Sequence, residues 1–312
     1  MKAVIVNKVG AAEGLGLADL PDLTCGAGQV RIDVEAAGVG LVDVLQRQGY
    51  LGPVVPFYVP GLEVAGRIGA VGAGVEADLV GKRVYARGPG GYAQQFLAKA
   101  TEVALLPDAV ASETAVALGI NAIVARFSLQ RGHVRSGQKV LVRGASGGIG
   151  ALAAQMALRM GAEVTAITNG DAADNVRALG VQHVVRRGHD PAPDGPFDVI
   201  IDPVAGEAVP GLIGSLAPNG HYVVMGAAAG LPPEGVAQTL LQNFSRSPTY
   251  TLFSLDSVSA GEVAAVTGEI FAEAARGSLQ AFIAQEFPLG NAVEAHKMLE
   301  AGPRFGKVVL RP

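Results

Sequence analysis

The feature that most constrains the fold of this chain is a glycine-rich turn between a strand pattern and a long helical pattern. A buried-strand pattern ends at residue 143, and Gly144, Gly147 and Gly150 follow at three-residue spacing. Glycines so placed permit a sharp turn, close approach of the main chain to a phosphate, and tight helix–strand packing. The helix that begins near Gly148 points free amides and its positive dipole end at the turn. The pattern favours a phosphate-binding turn over a plain strand-to-helix corner.

The residues after the turn strengthen this interpretation. An alanine-rich helix over residues 151–159 is followed by a stop at Gly161 and a second strand that ends at Thr168. A complete βαβ unit of this kind holds a dinucleotide. The residues of the turn that we expect to contact the cofactor are Gly144, Ser146, Gly147, Gly148, Ile149 and Gly150.

Composition limits the classes of function. The chain has 312 residues, of which 49% are hydrophobic and 17% charged, with a formal net charge of −4. This length suits two domains. The chain has no basic run that could bind nucleic acid or an anionic membrane surface. Cys25 is the single cysteine, so we expect no disulfide framework, no thiolate zinc site and a reducing, cytoplasmic compartment. We find no apolar stretch near the roughly 20 residues of a membrane span, and the first strand pattern is too short for a signal peptide.

The order of patterns predicts an α/β protein with two domains. Short strand-like runs split by glycine and proline fill the first third and predict a small, mostly antiparallel barrel-like domain. A helical pattern over residues 112–129 then leads into alternating strands and helices, which predict a doubly wound parallel sheet. The chain ends with a helix over residues 291–301 and a strand over residues 307–310, which we expect to join the N-terminal barrel. We assign residues 1–116 and 247–312 to the barrel domain and residues 117–246 to the cofactor domain.

Several short motifs, in order, resemble those of one family. They are residues 37–43 (AGVGLVD), 47–50 (RQGY), 60–66 (PGLEVAG), 90–93 (GGYA), the Gly144 turn, 202–206 (DPVAG) and 304–310 (RFGKVVL). Together they resemble the zinc-free quinone oxidoreductase branch of the medium-chain dehydrogenase/reductases, over nearly the whole chain. The resemblance implies a Rossmann domain inserted into a GroES-like barrel domain, with the active site in the cleft between them.

Residue types decide the expectation for zinc. Zinc-dependent relatives place a cysteine three residues before the equivalent of Asp43 and a histidine directly before the equivalent of Glu63. Here these positions hold Gly40 and Leu62, neither of which can donate an electron pair to a metal. The five histidines show no paired ligand spacing. We therefore expect no metal ligands and no bound zinc.

The function implied is NAD(P)H-dependent reduction of a quinone or an α,β-unsaturated carbonyl compound. Such a substrate spreads the incoming charge onto its own oxygen, so that hydrogen-bond donors or water complete the reaction without a metal. Two alternatives remain open. One is a pathway-specific reductase or cyclase-like enzyme of secondary metabolism, and the other is a nucleotide-binding protein with a structural or regulatory role.

The resemblance also indicates three residues for the chemistry. Tyr50 matches the family tyrosine near the cleft and is the first candidate for gating or proton donation, with packing at a loop rim as the alternative. Asp43 is expected to orient its neighbours. Gly40 stands where asparagine is usual and Asn121 where threonine is usual, so Asn121 is expected to supply the amide that Gly40 lacks. We interpret Tyr92, which begins a strand pattern, as structural.

Cofactor choice depends on the end of the second strand, where NAD-binding proteins carry an acidic residue for the ribose hydroxyls. Thr168 and Asn169 stand there instead, and the lysine that the family places in the next helix is absent from residues 172–176. We expect NADP(H) rather than NAD(H), with Arg304 as a phosphate contact. The other residues expected to contact the cofactor are Val204, Gly226, Phe253 and Lys307.

The sequence also predicts self-association. The strand at Tyr222–Met225 leads into the apolar residues 227–231 and is expected at a sheet edge. A bare edge strand pairs readily with another chain. Together with the habit of the family, this predicts a homodimer formed by the cofactor domains.

Overall fold

The structure is a computed structural model that describes residues 1–302 and 304–312. Its strands are β1 (Lys2–Val6), β2 (Leu15–Asp19), β3 (Gln29–Val39), β4 (Glu63–Val71), β5 (Arg83–Arg87), β6 (Gln95–Lys99), β7 (Ala104–Leu105), β8 (Lys139–Arg143), β9 (Glu163–Thr168), β10 (His183–Arg186), β11 (Phe197–Asp202), β12 (Leu216–Val224), β13 (Thr249–Leu252), β14 (Ile283–Pro288) and β15 (Lys307–Arg311). Its α-helices are α1 (Leu41–Gln48), α2 (Ser112–Arg131), α3 (Gly148–Arg159), α4 (Ala173–Ala178), α5 (Val209–Gly214), α6 (Val236–Gln242), α7 (Ala260–Ala275) and α8 (Ala292–Glu300).

The chain divides into two compact units. One contains residues 1–120 and 260–312, and the other contains residues 121–259. The first boundary lies inside α2, one residue after Gly119, whose backbone (φ 11°, ψ −122°) is not helical. The sequence analysis places the second boundary after residue 246, whereas this division lies after residue 259. Strand β13, which follows residue 246, pairs with β12 and so belongs to the sheet of the second unit.

The unit of residues 121–259 is a parallel α/β sheet, as the sequence predicts. Its six strands lie in the order β10-β9-β8-β11-β12-β13, and every neighbouring pair is parallel. Helix α3 packs on this sheet with small residues, of which Ala151, Ala153 and Ala157 are fully buried. These small side chains allow the helix to lie close to the strands.

The edge strand of this sheet differs from the prediction. The sequence suggested that the strand around Tyr222 forms the edge, but β13 pairs in parallel with β12 and covers it. The edge is therefore β13. Leu252 at its end is exposed, as are Leu241 and Phe244 in the preceding segment.

The other unit is built around a seven-stranded, mostly antiparallel sheet. Strands β14, β15, β3, β4, β5 and β7 follow one another, and β6 also pairs with β3. The C-terminal strand β15 pairs with β3 and is buried along residues 307–310, so the tail joins the N-terminal sheet as expected. Tyr92 lies before β6 rather than at its start and is fully buried.

None of the helices in the described part of the chain combines the length and the apolarity that crossing a bilayer requires.

Candidate functional site

The turn between β8 and α3 has the geometry of a phosphate-binding turn. Gly144 has a positive φ of 60°, a conformation that side chains with a Cβ rarely adopt. The amide of Gly147 donates to the carbonyl oxygen of Gly144 at 2.9 Å. A Cβ at Gly150 would overlap that same carbonyl oxygen, so only glycine allows α3 to begin this close to the strand.

The first turn of α3 is open to an anion. Gly147 is the N-cap residue, and it provides no side-chain hydrogen bond to the helix. The first turn carries no acidic residue, so the amides and the dipole of the helix end are not neutralised there. Ser146 is buried beside the turn, and Ile149 is half-buried. A cradle of main-chain amides without competing carboxylates fits the diphosphate of a dinucleotide.

Asn121 lies against this turn. A Cβ at Gly148 would overlap the side-chain amide nitrogen of Asn121, which shows how closely the two residues pack. Asn121 is 9% exposed and belongs to the same unit as α3. The structure therefore brings Asn121 to the first residue of the helix whose N-terminus forms the cradle.

The carboxyl end of β9 carries the residues expected to choose the cofactor. Thr168 is 2% exposed, and its hydroxyl has no hydrogen-bond partner among the residues that the structure describes. Asn169 is the N-cap residue of the short 3-10 turn that follows. An unmatched buried hydroxyl is costly, which indicates a missing partner such as water or a ligand.

Arg187 is a residue that sequence reasoning missed at this position. Its amide donates to the carbonyl oxygen of Thr168 at 2.8 Å, and the residue is exposed. His189 is also exposed and lies near the place where a Cβ of Gly170 would stand, at 3.8 Å. The signal was available in the sequence, because Arg187 directly follows the short segment that forms β10. Parallel neighbours end at the same edge of a sheet, so cations after β10 lie beside the end of β9.

The loops after β11 and β12 also reach the Gly144 turn. A Cβ at Gly144 would lie 2.7 Å from Cγ2 of Val204, and one at Gly226 would lie 2.5 Å from the carbonyl oxygen of Pro203. Val204 and Gly226 are thus brought together with the cradle. Phe253 is 8% exposed, and Arg131 lies over its ring at 5.6 Å from the ring centre.

The other unit contains a buried polar network that begins at Asp43. One carboxylate oxygen, Oδ2, accepts from the amide of Gly40 at 2.8 Å and from the hydroxyl of Tyr92 at 3.1 Å. The second, Oδ1, has no partner within the described residues, and neither has the buried hydroxyl of Tyr58. Burial raises the pKa of Asp43 to about 6, despite the hydrogen bond from Gly40.

The network continues from Tyr92 through His296 to Arg47. The Tyr92 hydroxyl lies 3.2 Å from Nε2 of His296, and Nε of Arg47 donates to Nδ1 of the same ring at 3.2 Å. Because Nδ1 accepts, Nε2 carries the ring proton in this arrangement. Arg47 also donates to the carbonyl of Gly10 and to the carboxylate of Glu300. Burial and the neighbouring Arg47 charge lower the pKa of His296 to about 3, so the ring is neutral.

A second buried group surrounds Glu63. Its Oε1 lies 2.6 Å from Nζ of Lys307, and its Oε2 accepts from the hydroxyl of Tyr85 and from the amide of Ile120. The pair Glu63–Lys307 is almost fully buried. A Cβ at Gly40 would lie 3.9 Å from Nζ of Lys307, so this ammonium faces Gly40 while it pairs with Glu63.

The remaining predicted residues of this unit lie at its surface. Tyr50 is 76% exposed, so its ring is not packed at a loop rim. Leu51, Val55 and Phe57, which follow in the same loop, are also exposed. Arg304 is exposed. Sequence reasoning singled out Tyr50 and missed His296, which lies more than two hundred residues from its partners and gave no local signal.

Residues 1–302 and 304–312 contain no group of three or more histidine, cysteine, aspartate or glutamate side chains that could hold a metal ion.

Comparisons with known proteins agree with this architecture. The family model described as a zinc-binding dehydrogenase matches residues 174–310, and the model of the alcohol dehydrogenase GroES-like domain matches residues 26–108. A quinone oxidoreductase of Mus musculus is 30% identical over 329 residues, covering 99% of this chain and 97% of that protein. A solved structure of a mycobacterial protein complexed with NADPH is 29% identical, with a TM-score of 0.91 over the whole of both chains.

Polyketide synthases are also similar to this chain. The polyketide synthase GfsB of Streptomyces halstedii is 33% identical over 290 residues, which is 91% of this chain and 5% of that protein. This chain spans between 5% and 14% of the length of four polyketide synthases that it matches.

Proposed function

Because this chain belongs to the medium-chain dehydrogenase/reductase superfamily, with quinone oxidoreductases among its homologues, we propose that it is a zinc-independent, NADPH-dependent reductase of quinones or α,β-unsaturated carbonyl compounds. The observation that carries the proposal is the turn between β8 and α3. Its glycines and uncapped helix end form an anion cradle at the carboxyl edge of a parallel sheet. A parallel sheet with this turn is suited to a dinucleotide, and a solved structure that is similar to this chain is complexed with NADPH.

The cofactor, when bound, supplies hydride, and the protein supplies position and charge. The residues proposed to hold it are those of the turn, Gly144, Ser146, Gly147, Gly148, Ile149 and Gly150, with Asn121, Thr168, Asn169, Val204, Gly226, Phe253, Arg304 and Lys307. Main-chain amides of the turn would hold the diphosphate, and the unmatched hydroxyl of Thr168 would accept or donate a hydrogen bond to the adenosine ribose.

The preference for NADPH rests on charge at the end of β9. No acidic side chain follows Thr168 at the next residue, and the exposed Arg187 is bonded through its amide to the Thr168 carbonyl. A guanidinium in this position suits a 2′-phosphate. Arg187 thereby takes the role for which the family lysine is missing.

Asp43 is the proposed proton donor. It is a buried acid with a pKa of about 6. A general acid works best when its pKa lies near the pH of the reaction. Its Oδ1 is unmatched and so is available to hold the proton, while Oδ2 is fixed by Gly40 and Tyr92. The exposed hydroxyl of Tyr50 is the alternative donor.

Zinc independence rests on residue types. Gly40 and Leu62 occupy the positions of two zinc ligands in zinc-dependent relatives, and neither side chain can bind a metal. The space beside Gly40 is instead bordered by the Asp43 carboxylate and the Lys307 ammonium. Hydrogen bonding then takes the place of a metal in stabilising charge on the substrate oxygen.

A second candidate function is supported by the polyketide synthase relatives. The 33% identity to GfsB favours an enoyl reductase acting on an acyl chain, which is also a reduction of an α,β-unsaturated carbonyl. A third possibility, a nucleotide-binding protein without catalysis, requires only the cradle.

We further propose a homodimer formed through β13, the edge of the parallel sheet. Within the described residues, β13 has a neighbouring strand on one side only, and Leu252, Leu241 and Phe244 are all at least 70% exposed. An open edge beside exposed apolar side chains favours pairing with a second copy. The single Cys25 supports a reducing, cytoplasmic location.

The test is a panel of substrates, and each reaction is monitored through the loss of NADPH absorbance. Simple benzoquinones, small enones and enoyl thioesters are compared before and after EDTA treatment. Turnover of quinones and enones that EDTA leaves unchanged supports the first proposal, and turnover restricted to enoyl thioesters supports the second. Dinucleotide binding without turnover of any compound would contradict both reductase proposals.

A further inference from the structure

Arg143 and Asp202 face each other across the centre of the parallel sheet. The register of β8 and β11 pairs Ile201 with Val142, and the next residues along the two strands are Asp202 and Arg143. The chain runs outward from β8 to β10 on one side of the sheet and from β11 to β13 on the other. The order of strands therefore reverses between β8 and β11. In open α/β sheets a dinucleotide binds at such a switch point, outside the carboxyl ends of the strands.

The Asp202 carboxylate accepts four hydrogen bonds in a fully buried position. Oδ2 lies 2.7 Å from Nη1 of Arg143 and 2.5 Å from the hydroxyl of Tyr222. Oδ1 accepts from the amides of Val204 at 2.7 Å and Ala205 at 3.1 Å. Arg143 is itself 7% exposed, so the two opposite charges neutralise each other inside the protein.

The pair holds a strained residue. Ala205 has φ 53° and ψ −135°, a combination that residues with a Cβ rarely adopt. Its amide is held by Asp202, and its carbonyl oxygen accepts from Nη1 of Arg143 at 2.9 Å. Both backbone groups of Ala205 are thus fixed by one ion pair. A strained backbone persists where the surroundings fix it, and it marks segments with a function.

The strained loop rests against the phosphate-binding turn. Cγ2 of Val204 lies 2.7 Å from the place of a Cβ on Gly144, and the Val204 carbonyl accepts from Ala229 at 2.8 Å. The loop of residues 202–206 therefore connects the turn after β8 to the segment after β12. A change at Asp202 would alter the position of Val204 above the crevice at the switch point.

We propose that Arg143 and Asp202 are positioning residues, which hold the 202–206 loop in the conformation that receives the nicotinamide half of the dinucleotide. The inference rests on the proposed function only in that it requires a dinucleotide cofactor.

A merely stabilising role predicts something different. Replacing a buried ion pair often leaves stability unchanged, whereas removing one partner leaves an unpaired buried charge. Loss of stability alone would weaken every ligand to the same degree. If the pair positions the loop, its loss weakens binding of the nicotinamide half, which the loop receives, and leaves binding of the adenosine half unchanged.

The experiment compares two probes on three variants. NADPH and adenosine 2′,5′-bisphosphate, which lacks the nicotinamide half, are titrated by calorimetry against wild type, R143M, R143K and Y222F. We expect R143M to raise the Kd of NADPH by about tenfold or more and to change that of the bisphosphate by less than about twofold. R143K should restore binding, because one ammonium can donate to both Asp202 and the Ala205 carbonyl as Nη1 does.

Y222F keeps the ion pair and removes one hydrogen bond to Asp202. It is expected to raise the Kd of NADPH by about threefold and to leave that of the bisphosphate unchanged. If R143M does not fold, Y222F provides the test. Equal weakening of both probes, or no weakening of either, would overturn the proposal. The titrations contain no substrate and so do not depend on catalysis. A protein that binds NADPH but reduces no compound would contradict the proposed reductase function, and the positioning role of Arg143 and Asp202 would still stand. A wild type that binds neither probe would contradict both.

Discussion

Arg47 donates a hydrogen bond from Nε to Nδ1 of His296 across 249 residues of sequence, and it thereby decides which ring nitrogen carries the proton. The contact joins α1, near the start of the chain, to α8, near its end. The proton on Nε2 points to the Tyr92 hydroxyl, which in turn donates to Asp43. One buried arginine therefore orients a chain of three further polar residues.

The first prediction concerns stability at low pH. The folded pKa of His296 is about 3 and its ordinary value is 6.5, so the unfolded chain takes up the proton first as pH falls. This group's contribution is fully present above the unfolded value and is lost as pH falls towards the folded one. Between about pH 7 and pH 5 the loss is about 2 kcal/mol of unfolding free energy.

The H296Q variant, which keeps a hydrogen-bonding side chain but does not titrate, tests this. Urea unfolding at both pH values is expected to give a smaller drop for H296Q than for wild type, by about 2 kcal/mol. Equal drops in the two proteins would show that the ring does not stay neutral in the fold.

The second prediction separates the phosphate cradle from the fold. Gly147 has ordinary backbone angles and room for a side chain, and aspartate is a favoured N-cap residue. G147D is therefore expected to keep or slightly raise stability while a carboxylate in the cradle abolishes NADPH binding. The matched control is G261D in the first turn of α7, where the space is also open. Calorimetric titration showing wild-type affinity in G147D would mean that the cradle lies elsewhere.

The third prediction concerns the choice of cofactor. Thr168 and Asn169 are neutral and suit either ribose, so the preference between the two cofactors is expected to be small. NADPH should be favoured over NADH in kcat/KM by less than about a hundredfold, which corresponds to about 2.7 kcal/mol. R187A should reduce this ratio. D174K should raise the ratio, because it adds a positive charge that suits a 2′-phosphate. Asp174 is exposed and can be replaced by lysine, whereas a lysine at the buried Ala172 would not fit. A clear preference of the wild type for NADH would contradict the assignment.

The fourth prediction is a pH profile. If Asp43 donates the proton, kcat/KM is expected to fall above about pH 6, by about tenfold per pH unit, as the acid form disappears. D43N should lower the rate and remove this dependence, since an amide does not titrate. Y50F is the parallel variant for the alternative donor. A profile that changes in Y50F and persists in D43N would assign the proton to Tyr50 instead.

The fifth prediction concerns the edge strand. A charge at Leu252, at the end of β13, is expected to prevent pairing of two edges, so L252K should be monomeric at micromolar concentration. L17K, at an exposed leucine in β2 of the other unit, is the control and should leave the wild-type state unchanged. Light scattering measures both. A monomeric wild type would exclude the dimer.

The sequence by itself determined the features that depend on neighbouring residues. The turn at Gly144, the helix from Gly148 and the alternation of strands and helices follow from local conformational preferences and from periodicity, and the structure confirms the parallel sheet that they predict. The joining of the C-terminal strand to the N-terminal sheet was likewise foreseen, because a short apolar strand requires a sheet.

Tertiary structure decided what depends on contacts between distant residues. No local pattern indicated that Arg47 meets His296, or that β13 pairs with β12 and so belongs to the parallel sheet. The motif that contains Asp202 was visible, but its partner Arg143 was not. Strand register decides such pairs, and register is set by the packing of whole sheets rather than by any local pattern.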